Sequence, residues 1–411
     1  MCAKAPEAGK FARDAHPHAA AGALWLARLS LTDFRCYGQA TFEVDHRPVV
    51  LTGPNGAGKT NLLEAISLLA PGRGLRGARL NEIDRRAEPG ARAAGRPAQG
   101  GWSVAARVMT PDGPRDVGTG RETDEANGDA GETRERRLVK IDGSFAKGQQ
   151  ALAGVLRLVW LTPRMDGLFR EGPGPRRRFL DRLVTGFDSG HAGRLAAYEQ
   201  ALRQRGRLLK TGEGDASWRS ALEDTMARYG IAIAAARRGF VLDLARACAV
   251  GIGPFPRAQV SVAGEVDDWL GEMPALRAED ELRARLAACR AQDGEAGGAA
   301  VGPHRSDFVV ADLETGQPAS QGSTGEQKAL LLSIVLAHAR LVALERDAPP
   351  VLLLDEVAAH LDRARRARLF EEVLALGAQA WLTGTEAALF DELGRAAQHY
   401  RVENATLTPL A

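Results

Sequence analysis

One short segment of the chain has the residue types and spacing of a phosphate-binding loop. Residues 53–60 match the pattern GxxxxGK[ST], between a stretch that predicts a strand and one that predicts a helix. A chance match is the alternative, and this flanking pattern argues against it. Glycines let backbone N–H groups approach phosphates, Lys59 can reach the β- and γ-phosphates, and the Thr60 hydroxyl can bind Mg²⁺. We therefore expect ATP and Mg²⁺ as cofactors, bound by Gly53, Pro54, Asn55, Gly56, Ala57, Gly58, Lys59 and Thr60.

Two acidic residues follow a buried strand much later in the chain. Residues 351–354 are all apolar, and Asp355 and Glu356 come directly after them. If this strand lies parallel to the strand before the loop and beside it, Asp355 reaches the sheet edge at which Mg²⁺ binds. Glu356 is then placed to orient or deprotonate the attacking water. An acidic turn after a strand is common by itself, but with the loop it predicts hydrolysis, with Glu356, Lys59 and Asp355 as catalytic residues and Thr60 and Asp355 as metal ligands.

A second helix start also has the composition of a phosphate binder. Residues 323–328 read Ser-Thr-Gly-Glu-Gln-Lys and lead into an apolar helix. Ser323 or Thr324 is expected to cap this helix with Glu326 as its capping partner, and such a helix start also binds phosphate. Because the first loop already holds the phosphates of one subunit, we expect this helix start to serve the nucleotide of another subunit.

The composition is that of an ordinary globular chain. Its 411 residues allow two or three domains, and the net charge of +2 means that any basic surface must be local. The four cysteines lack metal-ligand spacing, which suits a reducing, cytoplasmic location. No apolar run is long enough to predict a membrane span. Residues 1–22 lack a secretory apolar core, and we expect a disordered tail there.

The apolar pattern predicts an α/β chain interrupted by a helical segment. The expected strands cover residues 24–31, 49–52, 102–108, 350–354 and 379–383. The expected helices follow Lys59 and cover residues 326–345 and 363–376. A packed helical hairpin is expected within 175–249, from an apolar stripe formed by Trp218, Leu222, Met226, Tyr229 and Ile233. Residues 86–101 and 111–136, which have almost no large apolar side chains, predict extended loops or hairpin insertions.

Two clusters of arginines are candidates for contact with DNA phosphates. Arg176, Arg177 and Arg178 form the first cluster, although a solvated helix start paired with Glu171 and Asp181 is the alternative. The second cluster, beyond the helix that follows the loop, consists of Arg73, Arg76 and Arg79. His304 and Arg305 follow a Gly-Pro pair and have no neighbouring His or Cys, so metal binding is not expected there.

In their order along the chain, the phosphate-binding loop, the 323–328 helix start and the acidic strand resemble the ABC ATPases. The long insertion before residue 323 resembles the SMC-type repair ATPases rather than transporter subunits. Further segments resemble the RecF family of bacterial recombination and gap-repair proteins. These segments are residues 31–37, 53–56, 61–66, 72–76, 175–181, 302–307 and 354–362. The shared order of these segments is more specific than any one of them.

The resemblance implies an α/β fold, an ABC-type P-loop ATPase head with an inserted helical arm. The implied head covers residues 23–165 and 300–411, and the implied arm covers 166–299. The resemblance also implies an ATP-dependent homodimer in which Ser323, Gly325 and Gln327 meet the γ-phosphate of the other subunit, with Asp362 at the dimer seam. The implied partners are double-stranded DNA, including its junctions with single strands at gaps, and the RecR and RecO proteins, with which the protein helps to load RecA.

Two positions depart from the usual ABC pattern. Val159 stands in the strand where the Q-loop glutamine is expected, and Thr383-Gly384-Thr385 stands where a switch histidine usually follows the last core strand. Both departures predict slow hydrolysis, as in a switch rather than a motor. An ATP-switched DNA repair protein is therefore the favoured function, ahead of a transporter ATPase subunit and of a DNA scaffold that binds ATP without using it.

Overall fold

The computed structural model of the protein describes residues 24–85, 101–123, 135–212 and 215–410. The tail predicted at 1–22, the segment 86–100 and the segment 124–134 lie outside the described residues. Within 111–136, residues 113–123 form a strand that pairs with the strand beginning at Glu135, which supports the hairpin alternative for this part of the chain.

The strands, in chain order, are β1 Trp25–Phe34, β2 Tyr37–Glu43, β3 Val49–Thr52, β4 Ser103–Thr110, β5 Gly113–Thr123, β6 Glu135–Ile141, β7 Ser144–Phe145, β8 Leu158–Leu161, β9 Ala258–Ala263, β10 Asp307–Asp312, β11 Val351–Leu354, β12 Ala380–Gly384, β13 Gln398–Glu403 and β14 Thr406–Pro409. The α-helices are α1 Lys59–Ser67, α2 Pro173–Phe187, α3 His191–Thr211, α4 Ala216–Val250, α5 Glu265–Glu272, α6 Ala275–Ala288, α7 Arg290–Ala296, α8 Thr324–Arg346 and α9 Arg363–Leu376. The strands and helices predicted from the sequence are all found, with ends that differ by a few residues.

Strands from the first half of the chain and from its last third form two large sheets. One is antiparallel with the strand order β2-β1-β4-β5-β6-β7. The other has the order β14-β13-β3-β12-β11-β8 and is parallel except for β14. Strands β3, β8 and β11 are buried along their whole length, as expected for parallel strands covered on both faces.

The position predicted for the acidic strand is wrong in one respect. Strand β11 does not lie beside β3, because β12 lies between them and pairs in parallel with both. All three strands still end at the same sheet edge, since they run in one direction. The residues after β3 and β11 therefore meet across the end of β12.

The middle of the chain forms the predicted helical hairpin. Helices α3 and α4 pack together, and Leu222, Met226 and Ile233 of the predicted stripe are buried. Tyr229 is half-buried, and Trp218, near the start of α4, has 51% of its surface exposed. Helix α4 spans 35 residues, or about 50 Å, and its two halves lie in different cores.

Separate clusters of buried side chains show how α4 joins the helices to the sheets. Its first half packs with α3 and α6, whereas its second half, with Phe240 and Leu244, shares a core with α8, β10 and the parallel sheet. A third cluster fills the space between the antiparallel sheet, α1 and the other face of the parallel sheet. The domain boundaries given above remain a prediction.

Helix α8 is the one helix in the described part of the chain that is long and apolar enough to cross a membrane. Its most apolar window is 78% buried within this protein, which is the burial of a core helix. Its residues contact the parallel sheet, α2, α4 and α9. Residues 323–328 therefore lie at the start of a helix that is mostly buried.

Candidate nucleotide-binding and catalytic site

The loop between β3 and α1 has a backbone that requires glycine. Gly53, Gly56 and Gly58 have φ values of 147°, 82° and 113°, which residues with a Cβ rarely adopt. A Cβ on Gly53 would lie 2.2 Å from the carbonyl oxygen of Val402, and one on Gly58 would lie 2.7 Å from the hydroxyl of Tyr37. The loop is therefore packed closely on its outer side, while α1 begins directly at Lys59.

Lys59 is almost fully buried at the first position of α1. Its Nζ donates to the carbonyl oxygens of Gly53 at 2.7 Å and Pro54 at 2.9 Å, so the side chain spans the loop. Burial lowers the pKa of Lys59, and the charges of Glu356 and Asp355 oppose this shift. The ammonium group thus lies inside the loop, in the place where the sequence pattern predicts a phosphate contact.

Thr60 and Asp355 are brought together from positions 295 residues apart. The Thr60 hydroxyl lies 3.0 and 3.2 Å from the two carboxylate oxygens of Asp355. Burial raises the pKa of Asp355, while hydrogen bonds from Thr383 and Thr60 oppose this. A hydroxyl and one carboxylate side by side fit Mg²⁺, which commonly takes its other oxygen ligands from phosphate and water. Within the described residues, no three His, Cys, Asp or Glu side chains form a cluster that could hold a metal by themselves.

Glu356 is half-buried at the mouth of the same site. It has a left-handed backbone conformation, with φ at 52°, and its N–H donates to the Thr383 hydroxyl at 2.9 Å. A cleft of about 220 Å³ opens here and is lined by Thr60, Leu75, Arg76, Thr162, Pro163, Arg164, Asp355 and Glu356. The structure therefore places the predicted metal ligands and the predicted catalytic glutamate on one cleft.

Three contacts that support the loop were not predicted. Arg35 makes a two-pronged ion pair with buried Glu64 of α1, at 2.9 and 2.6 Å, and Arg76 adds a third contact at 3.1 Å. The Tyr37 hydroxyl donates to the carbonyl oxygen of Gly58 at 3.1 Å. Residues 31–37 carried a family resemblance, but their spacing gives no signal for either partner. They hold α1 and the loop against the antiparallel sheet.

The helix start at residue 323 has the predicted capping box. The Ser323 hydroxyl accepts from the N–H of Glu326 at 3.3 Å, and the Glu326 carboxylate accepts from the N–H of Ser323 at 2.7 Å. Ser323 and Gly325 are exposed and do not line the cleft beside Asp355. Gln327 differs, because it is 1% exposed and donates to the carbonyl oxygen of Gly322 at 2.7 Å. Gln327 therefore lies inside the chain's own fold in this structure, and its contact with a second subunit stays a prediction.

Asp362 is also at a helix start. Its carboxylate accepts from the N–H of Arg365 at 2.8 Å and caps α9, and its side chain is exposed. The charge of Arg365 helps to lower the pKa of Glu326, after the larger effect of the Ser323 contacts. The starts of α8 and α9 therefore lie near each other on the exposed surface.

The first arginine cluster is largely used inside the protein. Arg176 makes a two-pronged ion pair with Asp307, at 2.8 and 2.6 Å, and Arg177 donates to the carbonyl oxygen of Ser306 at 2.6 Å. The predicted partners Glu171 and Asp181 are therefore wrong as carboxylate partners. Asp181 instead pairs with Arg237 and His191, which the topology of the helical segment brings to it.

His304 lies at the junction between the helices and the sheets. Its ring nitrogens contact the Tyr198 hydroxyl at 2.7 Å and the carbonyl oxygen of Ala299 at 2.9 Å. Burial lowers the pKa of His304. These contacts are structural, and His304 does not line the cleft beside Asp355.

Comparison with known proteins identifies the family. Residues 25–408 match the family model described as the RecF/RecN/SMC N terminal domain. The chain is 46% identical over 384 residues to the DNA replication and repair protein RecF of Rhizobium leguminosarum bv. trifolii, covering 93% of this chain and 98% of that protein. It is 47% identical over 386 residues to the same protein of Agrobacterium fabrum, again covering 93% and 98%. The chain belongs to the RecF family of DNA replication and repair proteins.

Solved structures confirm the predicted fold class for this RecF-family member. A structure described as the recombination mediator protein RecF-ATPrS in the RecFOR pathway superposes with a TM-score of 0.78 at 22% identity, over 96% of this chain and all of that chain. The Smc head domain of Pyrococcus furiosus superposes with a TM-score of 0.51 at 14% identity, over 94% of this chain and 96% of that chain. At these identities the likeness establishes the fold, which is that of an ABC/SMC-type ATPase head.

Proposed function

We propose that this protein is an ATP-switched DNA-binding protein of recombinational repair that hydrolyses ATP slowly. The observation that carries the proposal is the junction of Thr60, Asp355 and Glu356 on one cleft, next to the glycine loop. RecF from the solved complexes is described with ATP and with ATPrS. We infer that the present chain binds ATP with Mg²⁺ at Gly53–Thr60 and Asp355, as expected from the sequence.

Lys59, Thr60, Asp355 and Glu356 each have a distinct part in the proposed hydrolysis. ATP would supply the phosphoanhydride bond, and a bound Mg²⁺ would neutralise negative charge on its phosphates. Lys59, held inside the loop, stabilises negative phosphate oxygens, and Thr60 and Asp355 hold the metal. Glu356, half-exposed in the cleft, orients the water and accepts its proton.

The exposed helix start explains why the active form is proposed to be a homodimer. Ser323 and Gly325 are exposed at the start of α8, where they present a hydroxyl and a helix N-terminus to solvent. In a two-fold dimer they would meet the γ-phosphate held by the other subunit, with Asp362 nearby at the seam. Gln327 belongs to the same helix start, where it donates to the carbonyl oxygen of Gly322.

Double-stranded DNA, including its gap junctions, is the proposed macromolecular ligand. Since Arg176 and Arg177 are engaged internally, the second cluster is favoured. A cleft of about 780 Å³ is lined by Arg73, Arg79 and Arg137, together with Leu68, Gly72, Ala78, Leu80, Asn81, Ile83, Glu135, Gly148, Gln149 and Gln150. Arg73 and Arg79 are exposed there, so they can approach phosphates. We further propose a cytoplasmic role with RecR and RecO in loading RecA.

The test is ATP hydrolysis measured with and without duplex DNA, at several protein concentrations. Specific activity that rises with both DNA and protein concentration supports a DNA-stimulated dimer. Glu356→Gln should keep ATP binding and lose turnover, because only help to the transition state is removed. Wild-type turnover in Glu356→Gln would contradict the catalytic assignment.

A further inference from the structure

Thr383 occupies a special position in the parallel sheet. It lies near the carboxyl end of β12, the strand between the one that precedes the phosphate-binding loop and the one that ends at Asp355. Its side chain is 1% exposed, so it cannot contact a nucleotide in the cleft directly. Its buried hydroxyl contacts the carboxylate of Asp355 and the backbone of Glu356.

The hydrogen bonds of this hydroxyl have one possible direction. The backbone N–H of Glu356 can only donate, so the Thr383 oxygen accepts from it, at 2.9 Å. The single hydroxyl proton is then donated to Oδ1 of Asp355, at 2.7 Å. One side chain thereby connects the predicted metal ligand with the backbone of the predicted catalytic glutamate.

Asp355 and Glu356, which this hydroxyl connects, both need a contact that fixes their conformation. Asp355 is buried and also receives the Thr60 hydroxyl, so the orientation of its carboxylate decides whether an oxygen points toward a metal. Glu356 has a positive φ of 52°, which a residue with a long side chain adopts only when its surroundings hold it there. Threonine is suited to this task, because its branched Cβ restricts rotation about χ1.

We propose that Thr383 is a positioning residue for hydrolysis, whose hydroxyl holds the Asp355 carboxylate toward Thr60 and the Glu356 backbone in its left-handed conformation. This inference rests on the proposed ATPase function. Thr383 acts through the two acids and not on the nucleotide. It should therefore affect turnover and metal-dependent binding far more than metal-independent binding.

The experiment compares full-length Thr383→Val with Thr383→Ser and Thr52→Val. Valine has nearly the same shape without the hydroxyl, and serine keeps the hydroxyl. Thr52 is a matched control, since it is a buried threonine at the same sheet edge whose hydroxyl donates to the carbonyl oxygen of Tyr400 at 3.3 Å. Turnover and the affinity for a fluorescent ATP analogue, with Mg²⁺ and with EDTA, are measured for each protein.

We expect kcat to fall about 10- to 100-fold in Thr383→Val, the effect of losing a hydrogen bond to a charged group, with a smaller change in KM. The increase in affinity for the ATP analogue on adding Mg²⁺ should be smaller in Thr383→Val than in wild type. Its affinity for the analogue in EDTA should equal that of wild type. Thr383→Ser should recover most of the turnover, and Thr52→Val should retain it. If Thr383→Val does not fold, as judged by circular dichroism, Thr383→Ala is measured in its place.

Wild-type turnover and an unchanged Mg²⁺ effect in Thr383→Val would overturn the inference, as would a serine variant as slow as the valine variant. Failure of the underlying function looks different. In that case Glu356→Gln would also turn over like wild type, or the wild-type protein would not hydrolyse ATP at all.

Discussion

The ion pair between Arg35 and Glu64 provides a strong test of how the loop is held. Glu64 is 1% exposed, and Arg35, which is 18% exposed, gives it two hydrogen bonds at 2.9 and 2.6 Å. Each hydrogen bond to a charged group contributes about 1.5–3 kcal/mol. Because Arg35 is partly solvated and Arg76 remains as a partner, we expect Arg35→Met to destabilise α1 by about 2–4 kcal/mol.

Hydrogen exchange measured by mass spectrometry reads this local stability directly. A loss of about 2–4 kcal/mol lowers the protection of α1 amides by about 30- to 700-fold, since 1.4 kcal/mol corresponds to a factor of ten. Arg115→Met is the control, because it removes a pair with Asp142 in which both side chains are substantially exposed. Such a pair contributes little, and α1 protection should not change.

A double-mutant cycle with Glu64→Gln makes the test specific. If the two residues act as one pair, the double variant loses less than the sum of the single losses, by about 1–3 kcal/mol. Additive losses, or α1 protection that is unchanged in Arg35→Met, would show that the ion pair does not hold the helix. ATP affinity should fall in parallel with protection, because α1 begins within the loop.

The remaining predictions concern binding and assembly. Lys59→Ala should lose most ATP affinity in a titration with a fluorescent analogue, because its ammonium group is the loop's cation, and unchanged affinity would refute the loop assignment. Ser323→Arg should keep ATP binding but lose ATP-dependent dimerisation in analytical ultracentrifugation, where Glu356→Gln with ATP serves as the dimer reference and its ADP form as the monomer. A Ser323→Arg protein that still dimerises on ATP would contradict the proposed dimer. Arg73→Glu with Arg79→Glu should weaken duplex binding about equally for different sequences and flatten its salt dependence, as checked by fluorescence anisotropy. Arg76 is left intact in that variant because it pairs with Glu64, and strong sequence dependence or unchanged binding would count against this surface.

Some expectations from the sequence needed the structure to correct them. The apolar run of β11 and the acids after it were recognised, but its neighbour in the sheet was not, because apolar parallel strands look alike whatever their order. Arg176 and Arg177 had the composition of a DNA-binding patch. They instead bind Asp307 and Ser306, which lie 131 and 129 residues further along the chain.

What the sequence determined by itself is local. The glycine loop with Lys59 and Thr60, the strand and helix periods, and the capping box of Ser323 with Glu326 all depend on residues that are neighbours in the chain, so short patterns predict them. The tertiary structure alone decided the order β3-β12-β11, the Arg35–Glu64 pair and the hydroxyl link from Thr383 to Asp355 and Glu356. These features join segments that are distant in sequence, and the packing of whole sheets and helices, rather than any local pattern, sets which side chains meet.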